Sequence, residues 1–471
     1  MLAPIPLLDQ LRARIDESIS ALPLDAAEGL ASLVLDLPVI PAVAPEIPNH
    51  RFALMHGRNN ELRAGYGIAA EWQAQGPTRL SELRMRAQRL AEGWHHWDPD
   101  ETGFTGFGLL GLAADPGPGS DSDPGVEGPG NSGQGLPNAV LWVPEIAVAS
   151  RGCQAALILS TALPASESGL RKRWLGLLER IIRGLSPASP EPRMPALLRP
   201  LGSAPGISHW RRLVDAVLRE IDRGVMDKAV LCRRIGLRGP RPFDLRLLQA
   251  ALAWLFPTCQ VIHVARGPSS FIAATPERLL QVRGGRVEVD AIAGTAARSA
   301  SAEQDRALAE GLLRSAKDLR EHALVVEAVR STLSVCCTEV HIPDAPRLLK
   351  LHNAQHLWSP ISARLGDRTD IFDLAERIHP TPATNGTPRE AVRDWLRQNE
   401  PLARGWYTGV AGILGPDLSG ELWVLLRCAE VRGNEARLYA GAGIVSGSDA
   451  LEEWRETGHK LSAIATALRF A

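Results

Sequence analysis

The sequence lacks the cysteine patterns and the charge excess that mark whole classes of proteins. Its six cysteines form no CxxC pair of the kind that a zinc finger combines with two histidines. The pattern therefore indicates neither a disulfide framework nor a structural zinc site. Lysine plus arginine number 52 against 53 aspartate plus glutamate, which gives a formal net charge of −1. No overall basic field is present to recruit nucleic acid or an anionic lipid surface.

Long apolar runs are also missing. No stretch of about 18 or more apolar residues occurs, and residues 1–12 lack a charged segment followed by a long apolar one. The sequence therefore predicts neither a membrane span nor a secretory leader. We expect a cytoplasmic protein.

What remains is the composition of an ordinary packed protein, with 45% apolar and 22% charged residues. A length of 471 residues would suit two or three units on its own. Residues 185–205 are rich in helix and strand breakers, which predicts a linker between an N-terminal portion, 1–200, and a C-terminal region, 205–471. Residues 115–136 are dense in Gly, Pro, Ser and Asp, which predicts a long mobile loop.

Periodicity in the apolar residues predicts most elements after residue 200 and few before it. Helices are predicted at 80–94, 209–223, 244–255, 302–333, 390–398 and 450–468. Strands are predicted at 139–149 (followed by a turn), 228–233, 260–265, 270–274, 287–292, 348–351, 356–363, 421–431 and 436–445, the last two as a hairpin.

Two ionisable residues stand out on predicted strands. Lys228 shares a strand face with Val230 and Cys232, and Glu277 follows Pro276, which ends a strand. Each has an ordinary alternative: an edge lysine whose ammonium reaches water, and a solvated turn carboxylate.

Helical spacing brings further polar groups together. Asp318 and Glu321 are three residues apart, so they could share a cation or form a solvated face. Glu453, Glu456 and Lys460 share one face of the last helix, where a surface ladder of ion pairs is the alternative.

Glycines mark a close approach of backbone on the last predicted strand. The run Gly441-Ala442-Gly443 interrupts that strand, which indicates that another group packs closely against its backbone. It is not a nucleotide-binding loop, because the third glycine and the following helix are missing.

Taken together, these pieces resemble the chorismate-utilising enzymes, the family of isochorismate synthases, salicylate synthases and the large subunits of anthranilate and aminodeoxychorismate synthases. The matching stretches occur in the family's order, at 228–233, 271–280, 291–298, 315–326, 355–360, 379–388, 404–409 and 426–460. The resemblance is strongest to the isochorismate synthases. It implies an α+β fold with large packed antiparallel sheets flanked by helices, an active site between the sheets, and an N-terminal portion that contributes to the same body.

The resemblance also implies a reaction and its residues. An isochorismate synthase adds water at C2 of chorismate and releases the C4 hydroxyl, with Lys228 as general base, Glu277 as general acid and Mg²⁺ as cofactor. The implied metal ligands are Glu321, Glu453 and Glu456. The implied substrate contacts are Gly294, Thr295, His356, Ala383, Tyr407, Arg427, Gly441, Ala442, Gly443 and Lys460.

Three alternatives are kept beside this interpretation. A salicylate synthase would go on to eliminate pyruvate, but such enzymes tend to carry threonine where this chain has Ala383. Amine-transferring relatives usually lack the lysine found here at position 228. A catalytically silent binding protein would be expected to have lost Lys228, Glu277 or a metal carboxylate. We expect a monomer, and the pathway, menaquinone or siderophore, stays open.

Overall fold

The structure, a computed structural model, describes residues 4–39, 41, 44, 47, 51–57, 61–117, 135–184, 194–351 and 354–471. Within these ranges the helices are α1 Pro4–Ser18, α2 Arg79–Glu92, α3 Glu167–Gly184, α4 Ile207–Asp222, α5 Leu245–Leu255, α6 Ala302–Arg314, α7 Ala316–Cys336, α8 Ile371–Ile378, α9 Arg389–Asn399 and α10 Ala450–Leu468. The strands are β1 Leu30–Asp36, β2 Phe52–His56, β3 Leu62–Tyr66, β4 Ala70–Ala74, β5 Trp94–Trp97, β6 Gly108–Leu112, β7 Ala139–Val143, β8 Ile146–Arg151, β9 Gln154–Ala162, β10 Arg199–Ala204, β11 Lys228–Arg238, β12 Gln260–Arg266, β13 Ser269–Thr275, β14 Arg278–Arg283, β15 Arg286–Ala297, β16 Cys337–His341, β17 Arg347–Lys350, β18 Ala354–Leu365, β19 Gly386–Thr387, β20 Val410–Leu414, β21 Gly420–Val424, β22 Cys428–Arg432 and β23 Glu435–Val445.

The strands form two large sheets. A 13-stranded sheet runs β10-β11-β23-β22-β13-β12-β2-β3-β8-β9-β1-β5, with β19 paired to β11. A 10-stranded sheet runs β16-β18-β15-β14-β21-β20-β6-β7-β4, with β17 paired to β18. Neighbouring strands are antiparallel, except that β1 and β5 are parallel. The predicted α+β class with large antiparallel sheets is confirmed.

Apolar side chains on both faces of the strands build three layers of core. Helices α1, α3, α5 and α10 cover one face of the 13-stranded sheet, and α2, α7 and α8 cover one face of the 10-stranded sheet. A third cluster joins strands of both sheets, for example Ile262 and Phe271 with Trp142 and Trp423. The two sheets therefore face each other across a shared core.

Two of the crossings of the chain between the two sheets lie side by side. The chain leaves β13 for β14 through Pro276 and Glu277, and it leaves β21 for β22 through residues 425–427. The backbone amide of Val424 donates to the carbonyl of Glu277 at 3.0 Å, which ties the crossings together. The prediction of one continuous strand over 421–431 is therefore wrong. Arg427 breaks it with a left-handed φ of 47°, and its halves belong to different sheets.

Three other predictions differ from the structure. The strand expected over 139–149 is two strands, β7 and β8, which belong to different sheets. The helix expected over 302–333 is broken at Ser315, whose side chain caps α7 by accepting from the amide of Asp318. The expected linker contains β10, which pairs with β11 at the edge of the 13-stranded sheet. The rest of that linker, 185–193, and most of the expected loop, 118–134, lie outside the described residues.

Among the described residues, no helix has both the length and the apolarity needed to cross a bilayer.

Candidate active site

A cavity opens between the two sheets where the chain crosses from one to the other. Most of the side chains predicted from the sequence line it, and these are Glu277, Gly294, Thr295, Glu321, His356, Ala383, Tyr407, Arg427, Gly441, Gly443, Glu453, Glu456 and Lys460. They come from both sheets and from α7 and α10. The fold thus brings together residues that are up to 183 positions apart, from Glu277 to Lys460.

Lys228 lies directly behind this lining and is completely buried. On β11 and β23, Val230 pairs with Gly443 and Cys232 pairs with Gly441, so these glycines share a sheet face with Lys228. A Cβ placed on Gly443 would come within 2.7 Å of Lys228 Cε and 2.8 Å of Glu321 Oε1. The glycine noted in the sequence is therefore required to give the lysine room.

Ala442 differs from its two glycine neighbours. It does not line the cavity, because alternate residues of a strand face opposite sides of a sheet. Its side chain packs with Trp210, Leu213 and Leu231 in the cluster behind β11 and β23.

Each of the three predicted metal ligands contacts a lysine. Lys228 Nζ donates to Glu321 Oε1 at 2.8 Å. Lys317 Nζ donates to Glu453 Oε1, also at 2.8 Å. Lys460 Nζ lies 2.6 Å from Glu456 Oε1 and donates to the carbonyl of Gly441 at 3.0 Å. Each of the three carboxylates is therefore paired with an ammonium group.

The neighbouring charges set the protonation of these carboxylates. Burial alone would raise the pKa of Glu321, but the ion pair with Lys228 outweighs it, and the pKa lies below its ordinary value. Burial, helped by the charge of Glu456, raises the pKa of Glu453 although Lys317 contacts it. The carboxylates of Glu453 and Glu456, one helical turn apart, thus repel each other, and a further positive charge between them would reduce that repulsion.

The three carboxylates supply hard oxygen ligands of the type that Mg²⁺ prefers. Within the described part of the chain, no set of three or more His, Cys, Asp or Glu side chains is grouped as a ready metal site. The donor chemistry at Glu321, Glu453 and Glu456 fits the cation, and the lysines hold these groups as counter-ions.

Glu277, at the crossing from β13 to β14, has the opposite character. Among the described residues, no ion pair reaches its carboxyl group, which is 4% exposed. Burial raises the pKa of Glu277 to about 8, and the charge of Asp290 acts in the same direction against Lys228, Arg427 and Lys460. At neutral pH this carboxyl holds a proton that it can donate.

At the second crossing, a chain of hydrogen bonds orients the guanidinium group of Arg427. Arg427 Nη2 donates to His356 Nε2 at 2.8 Å, and His356 Nδ1 lies 3.1 Å from Thr295 Oγ1. A guanidinium only donates, so Nε2 accepts and the proton of the imidazole is on Nδ1. Burial, with the charge of Arg427, holds the pKa of His356 well below its ordinary value. The neutral histidine therefore fixes Arg427 without competing for an anion.

The backbone at Gly294 adds a bulge to this wall. The pairing of β15 with β18 shifts register between Ala293 and Thr295, and Gly294 has a left-handed φ of 78°. A Cβ there would lie 3.2 Å from the Cβ of Asp318 on α7. The bulge turns Thr295 towards His356 and lets the start of α7 approach the sheet.

Sequence reasoning missed some lining residues, of which Lys317 is the most consequential. It lies one helical turn before Glu321, so the same spacing rule that related Asp318 to Glu321 could have identified it. Thr408 also lines the cavity, and its left-handed φ of 60° had no sequence signal because it is not glycine.

These features describe an α+β enzyme with a buried acid, a buried lysine and a cation-rich cavity between two sheets. The family model described as "Chorismate binding enzyme" matches residues 30–469. The chain therefore belongs to the chorismate-binding enzyme family, as the sequence resemblance predicted.

Individual relatives agree with this assignment. The chain is 40% identical over 288 residues to the salicylate biosynthesis isochorismate synthase of Pseudomonas aeruginosa, covering 59% of this chain and 60% of that protein. It is 36% identical over 259 residues to isochorismate synthase MenF of Bacillus subtilis, covering 55% of each. The matches thus span less than two thirds of these relatives' own length.

Solved structures show the same fold over nearly the whole chain. The structure of MenF, the menaquinone-specific isochorismate synthase from Escherichia coli, matches with a TM-score of 0.79 and 25% identity, covering 98% of this chain and 99% of that one. Anthranilate synthase component I from Streptococcus pneumoniae matches with a TM-score of 0.64 at 20% identity, which supports the fold alone.

Proposed function

We propose that the protein is an isochorismate synthase, an isomerase that interconverts chorismate and isochorismate. The observation that carries the proposal is a buried acid, Glu277, in the cavity lining together with a buried lysine, Lys228, next to that lining. Glu277 keeps its proton at neutral pH, since burial raises its pKa to about 8. The relatives named above as isochorismate synthases support the same activity.

Water addition at C2 of the ring needs a base, and departure of the C4 hydroxyl needs an acid. Lys228, which pairs with Glu321 as an ammonium, must first release that proton, and it would then accept one from the attacking water as the oxygen bonds to C2. The double bond then shifts, and the C4 oxygen leaves with the proton of Glu277. Glu321, at 2.8 Å from Lys228 Nζ, stabilises the ammonium that results.

Both carboxylates of chorismate need positive charge in this cavity. Arg427, Lys460, Tyr407 and the backbone of residues 441–443 would hold the enolpyruvyl carboxylate. Gly294 and Thr295 would contact the other end of the substrate.

We also propose that the enzyme uses Mg²⁺. Glu321, Glu453 and Glu456 would hold the ion, and when bound it would neutralise the ring carboxylate of chorismate. The carboxylates fit this role by chemistry and by their common position on one side of the cavity. We further propose that the protein is a monomer, that it is cytoplasmic, and that it acts in menaquinone or siderophore biosynthesis.

The first experiment incubates purified protein with chorismate and Mg²⁺ and follows the products by chromatography. The parent should accumulate isochorismate, and Lys228→Ala should lose roughly 10²- to 10⁴-fold in rate, the range for general acid–base catalysis. Lys350→Ala is the matched control, because Lys350 pairs with Asp305 outside the cavity. Circular dichroism establishes that each variant is folded.

Other products would lead to other conclusions. Salicylate with an equal amount of pyruvate would make the protein a salicylate synthase. Chorismate that binds and stays unchanged would make it a silent binding protein.

A further inference from the structure

One edge of β11 has a gap in its strand pairing close to Lys228. On that edge β19 pairs with Lys228 and Ala229, and β10 pairs from Arg234 onwards. Between these two stretches no strand of the described chain covers the edge. The backbone groups of residues 230–233 that face this edge need other partners, because a buried amide or carbonyl without one is costly.

Side chains and one loop carbonyl fill this gap. The amide of Val230 donates to the carbonyl of Asn385 at 2.9 Å. The carbonyl of Val230 accepts from Arg404 Nη2 at 2.6 Å, and the amide of Cys232 donates to Glu400 Oε1 at 2.7 Å. An arginine and a glutamate therefore do what a neighbouring strand does elsewhere on β11.

The same arginine also holds the loop that lies beside β11. Arg404 Nη1 donates to the carbonyl of Thr384 at 2.9 Å. Its Nε and Nη2 donate to the two oxygens of Glu400 at 2.8 and 2.6 Å, in a fork that both charges share. The side chains of Arg404 and Glu400 are only 11% and 5% exposed. Val230 and Thr384 both line the active cavity, whereas Arg404 and Glu400 do not.

We propose that Arg404 and Glu400 are positioning residues that set the separation between the strand of Lys228 and the loop Ala383-Thr384. The inference rests on the proposed function for its catalytic consequence. Lys228 lies two residues before Val230, so a shift of the Val230 carbonyl relative to the loop also shifts the base. A planar guanidinium can contact Val230, Thr384 and Glu400 at once.

Lysine cannot replace this arginine, although it carries the same charge. A single ammonium on a flexible stem cannot reproduce a fork that contacts two carbonyls and a carboxylate in fixed directions. Arg404→Lys therefore keeps the positive charge but loses the directed hydrogen bonds to the two carbonyls and the carboxylate. Arg238→Lys is the matched control, because Arg238 is on the same strand and pairs with Glu435 at an exposed site.

Steady-state kinetics is the first measurement. Arg404→Lys should lower kcat by roughly 10- to 100-fold, the loss expected when a reacting group is displaced by about 1 Å. KM for chorismate should change little, because Arg427 and Lys460 lie on other elements. Rates are divided by the folded fraction from thermal unfolding, which separates positioning from stability. The proposal would be overturned if Arg404→Lys had the same kcat per folded molecule as the parent, or if Arg238→Lys lost as much kcat as Arg404→Lys.

Amide hydrogen exchange is the second measurement and does not depend on turnover. In Arg404→Lys, exchange should become faster in residues 228–232 and 383–387 together and stay unchanged in Arg238→Lys. Faster exchange in neither segment, or in only one, would overturn the inference. If the parent protein forms no isochorismate, the proposed function is wrong. The exchange result alone would then decide whether Arg404 couples β11 to the loop Ala383-Thr384.

Discussion

Carboxyl groups that line the same cavity have opposite characters. Glu321, Glu453 and Glu456 each contact a lysine, whereas Glu277 has no ion pair among the described residues. The pKa of Glu321 lies below its ordinary value, and burial raises that of Glu277 to about 8. One residue type thus supplies a negative charge at Glu321 and a proton at Glu277.

The difference comes from the elements that carry these residues. Glu321 on α7 and Glu456 on α10 face lysines from a strand and from a helical turn. Glu277 lies at a crossing between sheets, where the backbone is paired and no lysine lies within ion-pair distance. A nearby ammonium outweighs burial at Glu321, whereas at Glu453 burial and the charge of Glu456 outweigh the contact with Lys317.

Replacing Glu277, the proposed acid, should have the largest effect on the rate of isochorismate formation. Glu277→Gln keeps the shape and removes the proton that the leaving hydroxyl needs, so kcat should fall by roughly 10²- to 10⁴-fold. In the parent, kcat/KM should also decline as pH rises through about 8, because Glu277 of the substrate-free protein loses its proton. The measurement is the pH profile of isochorismate formation. An alkaline decline that persists at the same pH in the residual activity of Glu277→Gln would assign it to another group.

The lysine-paired end is tested by its affinity for Mg²⁺. Glu456→Gln should weaken Mg²⁺ binding by at least about tenfold, since removal of groups around a metal commonly costs 10- to 100-fold. Calorimetric titration measures this without turnover. Glu452→Gln is the control, an exposed residue on the same helix that does not line the cavity. Equal affinity in the parent and Glu456→Gln would remove Glu456 from the proposed ligands.

A methyl group on β23 should disturb the Lys228–Glu321 pair alone. In Gly443→Ala the new Cβ would contact the ends of both side chains, at 2.7 and 2.8 Å, so they must move while the backbone stays. We expect kcat to fall by roughly tenfold with little change in Tm. Gly458→Ala is the control, because its nearest atom, Arg233 Nη1, is 4.0 Å away. A large fall in Tm would point to a backbone shift instead.

The sequence predicted the residues of this contrast better than their contacts. Spacing of three and four residues placed Glu453, Glu456 and Lys460 on one helix face, and the structure has them there. The same rule did not reveal that Lys317 pairs with Glu453, because that contact joins two helices 136 residues apart. Local periodicity carries no information on which distant elements pack together.

The crossing at Arg427 shows a second limit of the sequence. Residues 421–431 alternate as one strand would, and only the left-handed φ of Arg427 divides them between two sheets. Arginine is not a residue that signals such a backbone. Helix α8, Ile371–Ile378, was not predicted either, and its capping box of Asp370 and Asp373 was the available signal.

The smallest expected effect is on stability. The pKa of Glu277 is about 8 in the fold against an ordinary value of 4.5, so the folded state holds a proton that the unfolded chain has lost between those pH values. Its contribution to stability is full below about pH 4.5 and is lost as pH rises through about 8. Thermal unfolding should therefore give Glu277→Gln a Tm close to the parent's at pH 5 and higher by on the order of 2 °C at pH 9. A gap of the same size at both pH values would mean that glutamine changes packing, and that the Glu277 carboxyl group is not protonated in the fold.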